Sequence, residues 1–195
     1  MSIATIWKHL KTISKHRWIV FRLMCKCGRP FQGMLHDLSK FGPTEFLPSA
    51  KYFQGNRSPI DAEKEIIGYS VAWMHHKGHN PHHWEYWVDF DKKGKPIPSK
   101  IPYKYVVEMI CDYVAAGMTY SKERWTQTEP LKYFNSVISG RHFHPETERL
   151  IRMYLGEISN RGVETACKWM KFQYYSYDWF KEEKKHIPFE SPKED

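Results

Sequence analysis

Apolar residues recur at three- and four-residue spacings over the first 27 positions, which is the period of an amphipathic α-helix. The helix predicted over 3–27 carries this apolar face on Ile6, Leu10, Ile13, Val20, Leu23 and Met24. Gly28 and Pro30 are expected to end it. His9 and His16 lie seven positions apart and share a face, so we expect one of them to point into a site.

The same period, interrupted by glycine and proline, predicts further helices along the chain. They are expected over 32–41, 59–77, 102–119, 129–138, 145–160 and 162–183, with a short helix near 44–48. Ser58 as N-cap, followed by Pro59 and Asp61, marks the start of the helix over 59–77. Residues 82–90 fit a helix or a strand, and the tail 188–195 is expected to fray.

These elements predict an all-α fold, an HD-domain-like helical bundle with additional C-terminal helices. Within this chain of 195 residues we expect residues 1–120 to form the core. Residues 121–195 are expected to form a helical extension packed on it, in a single compact domain. A chain with 41% apolar and 16% aromatic residues is not expected to be disordered.

A net charge of +8 indicates an anionic partner. The lysines and arginines are dispersed, so a nucleic acid is compatible but not favoured, and a small phosphorylated substrate such as a nucleotide is expected. A homo-oligomer is also compatible with the sequence. Lysines and arginines are spread among the apolar residues of positions 1–30, and no run of about 18 apolar residues occurs, so we expect neither a signal peptide nor a membrane segment. Four cysteines without a Cys-x-x-Cys pair favour reduced thiols in the cytoplasm.

A His-Asp pair within the predicted helix over 32–41 is the first candidate for chemistry. His36 and Asp37 would project from adjacent positions, and Lys40 would lie one turn further on. An imidazole, a carboxylate and a cation on one face suit a divalent metal that acts on an anionic substrate. We expect Lys40 to bind substrate phosphate and to take part in catalysis, assisted in binding by Arg17.

Four residues form the predicted metal site: His16, His36, Asp37 and Asp112. Two imidazoles and two carboxylates suit divalent Mn, Fe, Co or Ni better than a closed structural zinc site. We expect the protein to bind one or two such ions. A lone histidine on an apolar helix is more often a hydrogen-bonded core residue. Asp112 lies among apolar residues, where a carboxylate must be paired, coordinated or exposed. Glu108, one turn earlier, would be its partner or face solvent.

Five of the eleven histidines lie between positions 75 and 83. They would bind a second metal, bind a substrate phosphate, or form a surface loop that scavenges metal. Large apolar side chains around the cluster favour a partly buried pocket: Trp73, Met74, Trp84 and Trp87. His76 and His83 are expected to serve in catalysis or hold a second metal, and His79 to be the exposed tip. The further expected substrate contacts are His75, His82 and Lys77.

The order of these residues resembles the HD-domain superfamily of metal-dependent phosphohydrolases. His16-Arg-Trp-Ile-Val20 is similar to its first helix, and His36-Asp37-Leu38-Ser39-Lys40 resembles its His-Asp motif. The variant with a lysine three residues after the aspartate occurs in HD-GYP cyclic-dinucleotide phosphodiesterases and in the di-iron inositol oxygenase. The resemblance covers about residues 10–115. It implies a helical bundle with a metal on His16, His36, Asp37 and Asp112, and histidines recruited for a second metal.

The whole chain is also similar to a family of uncharacterised proteins from bacteria and their phages. Besides the His-Asp motif, the similarity rests on stretches 43–46, 52–57, 75–78, 82–87 and 108–112. It implies no activity. The chain departs from the superfamily in having no Gly-Tyr-Pro after the histidine cluster. It also has Lys40 where nucleotidase members carry an acidic residue, and Glu45 is the nearest carboxylate that could act as the general acid.

Three functions remain open on the sequence alone. The first is hydrolysis of a phosphate ester on a nucleotide or similar small metabolite, with a metal-activated water as nucleophile. The second is oxygen activation by two irons that share Asp37, on a small polyol or phosphonate. The third is a non-catalytic module that binds a nucleotide or another partner. Trp73, Trp84 and Tyr113 are candidates to stack a base, although such aromatics more often belong to the core.

Overall fold

The computed structural model describes residues 2–176, and the fold over these residues is all-α, as predicted. The helices are α1 (Ile3–Lys26), α2 (Pro30–Leu35), α3 (Pro43–Tyr52), α4 (Pro59–Ile67), α5 (Val71–His79), α6 (Tyr103–Tyr120), α7 (Glu129–Val137), α8 (Pro145–Arg161) and α9 (Val163–Ser176). Positions 177–183 of the predicted helix over 162–183, and the tail 188–195, lie outside the described residues.

The long helix α1 has the amphipathic face that its sequence predicts. Ser2 caps it by accepting a hydrogen bond from the Thr5 N–H at 3.1 Å. Its buried positions recur at three- and four-residue spacings: His9, Ile13, His16, Val20, Leu23 and Met24. Both histidines therefore lie on the face that contacts the rest of the protein.

Helices α1 and α6 pack together and carry most of the remaining elements. Helices α2 and α3 pack on α1, and α4 and α5 pack on α3. Helices α7 and α8 pack on α6, and α9 packs on α8 and α1. Members of the apolar core include Val20, Met24, Val106, Ile110, Phe134, Ile151, Leu155 and Met170. Burial of these side chains is the main favourable term for the fold.

Two predicted helices are wrong because they are interrupted. The helix predicted over 32–41 stops after Leu35 and resumes at Leu38 as a 3₁₀ turn. The helix predicted over 59–77 breaks after Ile67, where Gly68 adopts a left-handed conformation with φ 85°. Ser70 then caps α5 by accepting from the Trp73 N–H. Each break redirects the chain just before residues with candidate chemistry.

Residues 82–90, which fitted a helix or a strand, contain both. A 3₁₀ turn over Trp84–Trp87 leads into β1 (Val88–Phe90), which pairs antiparallel with β2 (Pro96–Pro98).

Within residues 2–176, none of the helices combines the length and apolar character needed to span a membrane. All four cysteines are free thiols, as predicted.

Candidate metal centre

The His-Asp pair lies at the junction between α2 and the following 3₁₀ turn. Helix α2 packs very closely on α1 at Gly33, where an added Cβ atom would lie only 2.6 Å from Met24 Cβ. Arg17 fixes the end of α2 by donating to the carbonyls of Met34 and His36 at 2.8 and 2.7 Å. Asp37 then adopts φ 52° and ψ 29°, which turns the chain. His36 and Asp37 are both buried.

The four residues predicted to hold a metal come together. His16 from α1, His36, Asp37 and Asp112 from α6 each offer one ligand atom, and these atoms lie within 4.8 Å of one another. His16 Nε2 is 3.0 Å from Asp112 Oδ1, and His36 Nε2 is 3.2 Å from Asp37 Oδ2. We call these four residues the first ligand set.

Three histidines of the cluster form a second ligand set with Asp37. Ligand atoms of His76, His82, His83 and Asp37 also lie within 4.8 Å of one another. His76 Nε2 and His82 Nε2 are 3.3 and 3.4 Å from Asp37 Oδ1. The second oxygen, Oδ2, faces the first set, at 3.2 Å from His36 Nε2. The Asp37 carboxylate is therefore placed between two groups of nitrogen and oxygen donors.

Seven ligand atoms of the two sets are buried and form no hydrogen bond with the described residues, although Lys40 forms an ion pair with one of them, Asp37 Oδ2. They are Nε2 of His16, His36, His76, His82 and His83, and both carboxylate oxygens of Asp37. A single buried polar atom without a partner costs about 1–3 kcal/mol, so a group of this size in one place needs an explanation. Imidazole and carboxylate ligands that converge in this way fit divalent Mn, Fe, Co or Ni, which would satisfy these atoms.

Burial and neighbouring charges set the protonation of these side chains. Burial lowers the pKa of His16 and of His83, which favours the neutral form that binds a cation. Burial alone would raise the pKa of Asp37 and Asp112, but neighbouring imidazoles hold both below their usual value. Burial lowers the pKa of His36, but the charge of Asp37 and the hydrogen bonds to Asp37 and Glu108 together outweigh it and raise that pKa to about 10. An entering cation must therefore displace a proton from His36.

Glu108 orients histidines of both sets. Its Oε1 accepts a hydrogen bond from His36 Nδ1 at 2.8 Å and lies 3.3 Å from His82 Nδ1. Gln32 donates to its other oxygen at 2.5 Å. With Nδ1 of an imidazole bonded to a carboxylate, the Nε2 lone pair is free for a metal, an arrangement found in many metal sites. Glu108 is buried, so it is a partner of the site rather than a solvent-facing residue.

Glu45 has the corresponding role on the second set alone. Its two oxygens accept from His75 Nδ1 and His76 Nδ1, each at 2.7 Å. This carboxylate was predicted as a candidate general acid, but it is not among the described residues that line the adjoining cavity. The structure therefore places it behind His76, where it orients the ring.

A cavity of about 460 Å³ opens over both ligand sets, which is within the range of small-molecule sites. Lys40 lines it, and its Nζ lies 2.6 Å from Asp37 Oδ2 as an ion pair. The cavity is also lined by Trp73, Trp84, Glu85, Tyr113, Tyr133 and Arg141. His76 and His83, which were predicted together with Lys40 to serve in catalysis, line the same cavity.

The other predicted substrate contacts lie elsewhere, with one exception. Arg17 uses its guanidinium on the carbonyls that end α2, and His75 is bonded to Glu45. Lys77 is half-buried on α5 and is not among the described lining residues. His82 does line the cavity, but its Nε2 belongs to the second ligand set.

Sequence reasoning missed Glu85 as a lining residue. For the stretch 141–145 it left two interpretations open, the border of a pocket or a helix entry, and favoured the helix entry. Arg141 does line the cavity, and α8 also begins nearby, at Pro145. Nothing in the spacing of Glu85 and Arg141 signalled a site, because they reach the cavity from different elements. Glu108 carried a usable signal, since it lies four residues before Asp112 and therefore on the same face of α6.

Comparison with known proteins finds one family. The model described as "Family of unknown function (DUF5662)" matches residues 5–157, a range that contains both ligand sets and all the lining residues discussed above. No curated protein and no solved structure matches the chain.

Proposed function

The chain belongs to this family of unknown function, and on that premise we propose that it is a metal-dependent phosphohydrolase acting on a nucleotide or similar small phosphorylated metabolite. The proposal rests on one observation. The Asp37 carboxylate lies between two ligand sets whose buried imidazole Nε2 atoms lack hydrogen-bond partners among the described residues, next to a cavity that Lys40 lines.

We further propose that the chain is a member of the HD-domain superfamily. The resemblance assigned a metal to His16, His36, Asp37 and Asp112, and these four residues lie together. His76, His82 and His83 form the second ligand set with Asp37, and the Nε2 atoms of His76 and His82 face its other oxygen, as recruitment for a second metal requires. Four free cysteines fit a reducing compartment, and we propose the cytoplasm.

The residues of the chain hold and orient the reacting groups. Bound divalent ions would supply a water of lowered pKa and positive charge for the phosphoryl oxygens. Lys40 adds a cation at the cavity wall, where charge on the phosphate develops, and its pairing with Asp37 keeps it in place. Glu108 and Glu45 hold the His36, His82 and His76 rings, so these need not reorganise during the reaction.

The test combines metal content with turnover. Elemental analysis of purified protein should find one or two ions of Mn, Fe, Co or Ni per chain, and the protein should release phosphate from nucleoside monophosphates. Asp37→Asn should lose the metal and reduce phosphate release to the buffer background. Helical circular dichroism should persist, because asparagine also tolerates a left-handed backbone.

Asp61→Asn is the matched control, because Asp61 is an exposed carboxylate that lines the same cavity and belongs to neither ligand set. It should keep both metal and turnover. Retention of metal and activity in Asp37→Asn would show that the site has been assigned to the wrong residues.

A second candidate is a di-iron oxygenase acting on a small polyol or phosphonate. The three histidines of the second set favour it, since imidazole suits iron. Two irons per chain, a mixed-valent electron paramagnetic resonance signal and oxygen consumption would support the oxygenase. Phosphate release with manganese, cobalt or nickel would support the hydrolase. Ligand binding without turnover, unaffected by a chelator, would support a non-catalytic module.

A further inference from the structure

Arg141 is held in a defined orientation at the wall of the cavity. Its guanidinium donates to the Tyr113 and Tyr133 hydroxyls at 2.5 and 3.0 Å. The same group lies 5.7 and 5.5 Å from the centroids of these two rings. Within the described part of the chain, no carboxylate forms an ion pair with Arg141.

Glu85 lines the same cavity from the 3₁₀ turn over Trp84–Trp87. Its Oε2 is buried and has no hydrogen-bond partner among the described residues. Arg141 lines the same cavity, and among the described residues the two side chains do not form an ion pair with each other.

Two complementary groups that line one cavity without pairing with each other suit a ligand that bonds to both. A half-buried cation and a carboxyl oxygen without a donor each cost stability unless a partner is supplied. Members of both ligand sets and the flat side chains of Trp73 and Trp84 line the same cavity. A ligand that fills it would have an anionic end for the metal and a planar group to stack on a tryptophan. The edge of that planar group would carry a hydrogen-bond acceptor for Arg141 beside donors for Glu85.

We propose that Arg141 and Glu85 recognise the edge of a guanine base, so that the substrate is a guanine nucleotide; this rests on the proposed function. Guanine O6 would accept from the Arg141 guanidinium, and guanine N1–H and N2–H₂ would donate to the Glu85 carboxyl. Trp73 or Trp84 would stack on the ring. Adenine has an amino group where guanine has O6, and would bring a donor against a donor.

Titration calorimetry on the metal-containing protein tests this with guanosine, inosine and adenosine 5′-monophosphates. The expected order of affinity is guanosine, inosine, adenosine, because hypoxanthine keeps O6 but lacks the 2-amino group. Glu85→Gln should weaken guanosine monophosphate binding about 10–100-fold, the usual effect of losing hydrogen bonds to a charged group. It should weaken inosine monophosphate binding less.

Arg141→Gln should reduce the preference for guanosine over adenosine, and Arg141→Lys should retain part of it. The matched controls are Asp89→Asn and Arg149→Gln, which remove the same charges at exposed positions outside the cavity. Neither should change the order of affinities. Unchanged metal content in every variant shows that the first and second ligand sets remain intact.

The nucleosides guanosine and adenosine, titrated as phosphate-free probes, separate this inference from the proposed function. A guanosine preference that Glu85→Gln removes supports guanine recognition even if no phosphate ester is cleaved. Equal affinity for the three nucleotides, or binding of none, overturns it. Equal rates of cleavage of the three would overturn base recognition and leave the phosphohydrolase in place.

Discussion

Asp37 meets two requirements at one position. Its backbone is left-handed, with φ 52°, which only glycine, asparagine and aspartate adopt at low cost. Of these three, only aspartate is an anionic ligand. The residue that turns the chain out of α2 is therefore also the residue whose carboxylate faces both ligand sets.

Glu108 and Glu45 differ in how many histidines of the two sets they orient. Glu108→Gln weakens the hold on His36 and His82, so we expect lower metal affinity at both sets, by about 10–100-fold. Glu45→Gln affects only the second set, through His76. Competition against a chromogenic chelator measures both affinities. Equal effects of the two substitutions on the first-set ion would contradict the assignment.

His9 should make the protein sensitive to mild acid. Burial, and then the charge of Lys40, lowers its pKa from 6.5 to about 4, and its ring packs against Phe46 and Phe53. Between these values the unfolded state binds the proton and the folded state does not. The stability present above pH 6.5 is therefore lost as the pH falls towards 4, by on the order of 1–3 kcal/mol.

Denaturant unfolding at pH 7, 5.5 and 4.5 measures this contribution. His9→Leu should lose less stability over that range than the wild type, while the exposed His142→Leu should behave like the wild type. Acid also protonates the metal ligands, but those are common to all three proteins and cancel in the comparison. Parallel pH curves for His9→Leu and the wild type would rule out this role for His9.

At the scale of the elements, the breaks in the two predicted helices place the candidate ligands where they can meet. A continuous helix over 59–77 would keep one axis, but Gly68 ends α4 and Ser70 starts α5 anew. Helix α5 then packs on α3, which brings His76 against Glu45. The periodicity of the sequence correctly predicted helix in both α4 and α5, but it gave no information about the angle between these two helices.

The close packing of α2 on α1 at Gly33 holds the junction that carries His36 and Asp37. Gly33→Ala should destabilise the protein by about 1–3 kcal/mol, the usual cost of overpacking, because its Cβ would clash with Met24 Cβ. Gly156→Ala is the control within α8, where nothing lies within 4 Å of an added Cβ. It should stabilise by about 0.5–1 kcal/mol. Thermal unfolding measures both, and a neutral Gly33→Ala would contradict the close packing of α2 on α1.

At the scale of the whole molecule, the ligand sets join segments that are far apart in the chain. Their residues come from α1, the α2 junction, α5, the loop after it and α6. An unfolded chain cannot present these side chains together, so a metal bound by the proposed ligands would stabilise only the folded state.

Removing the metal should therefore lower the melting temperature. At an ion concentration about a thousandfold above the dissociation constant, the stabilisation is about 4 kcal/mol, or on the order of 10 °C for a chain of this size. Scanning calorimetry with and without a chelator measures it. Asp37→Asn should melt at the same temperature in both conditions, and a chelator effect of equal size in that variant would place the ion elsewhere.

The sequence by itself determined the helical character of the chain and the residue types that the candidate site contains. Periodicity and capping signals are local, so α1, α6 and α8 appear close to their predicted bounds. Imidazole and carboxylate side chains have the same donor chemistry in any fold, so His16 and Asp112 could be named as candidate ligands in advance.

Only the tertiary structure decided which side chains meet. It broke two predicted helices, sent Arg17 to the end of α2, and placed Glu108 against His36 and His82. It also brought Glu85 and Arg141 to one cavity from segments more than fifty residues apart. These outcomes depend on how separate helices pack, which is a property of long-range contacts that no local pattern encodes.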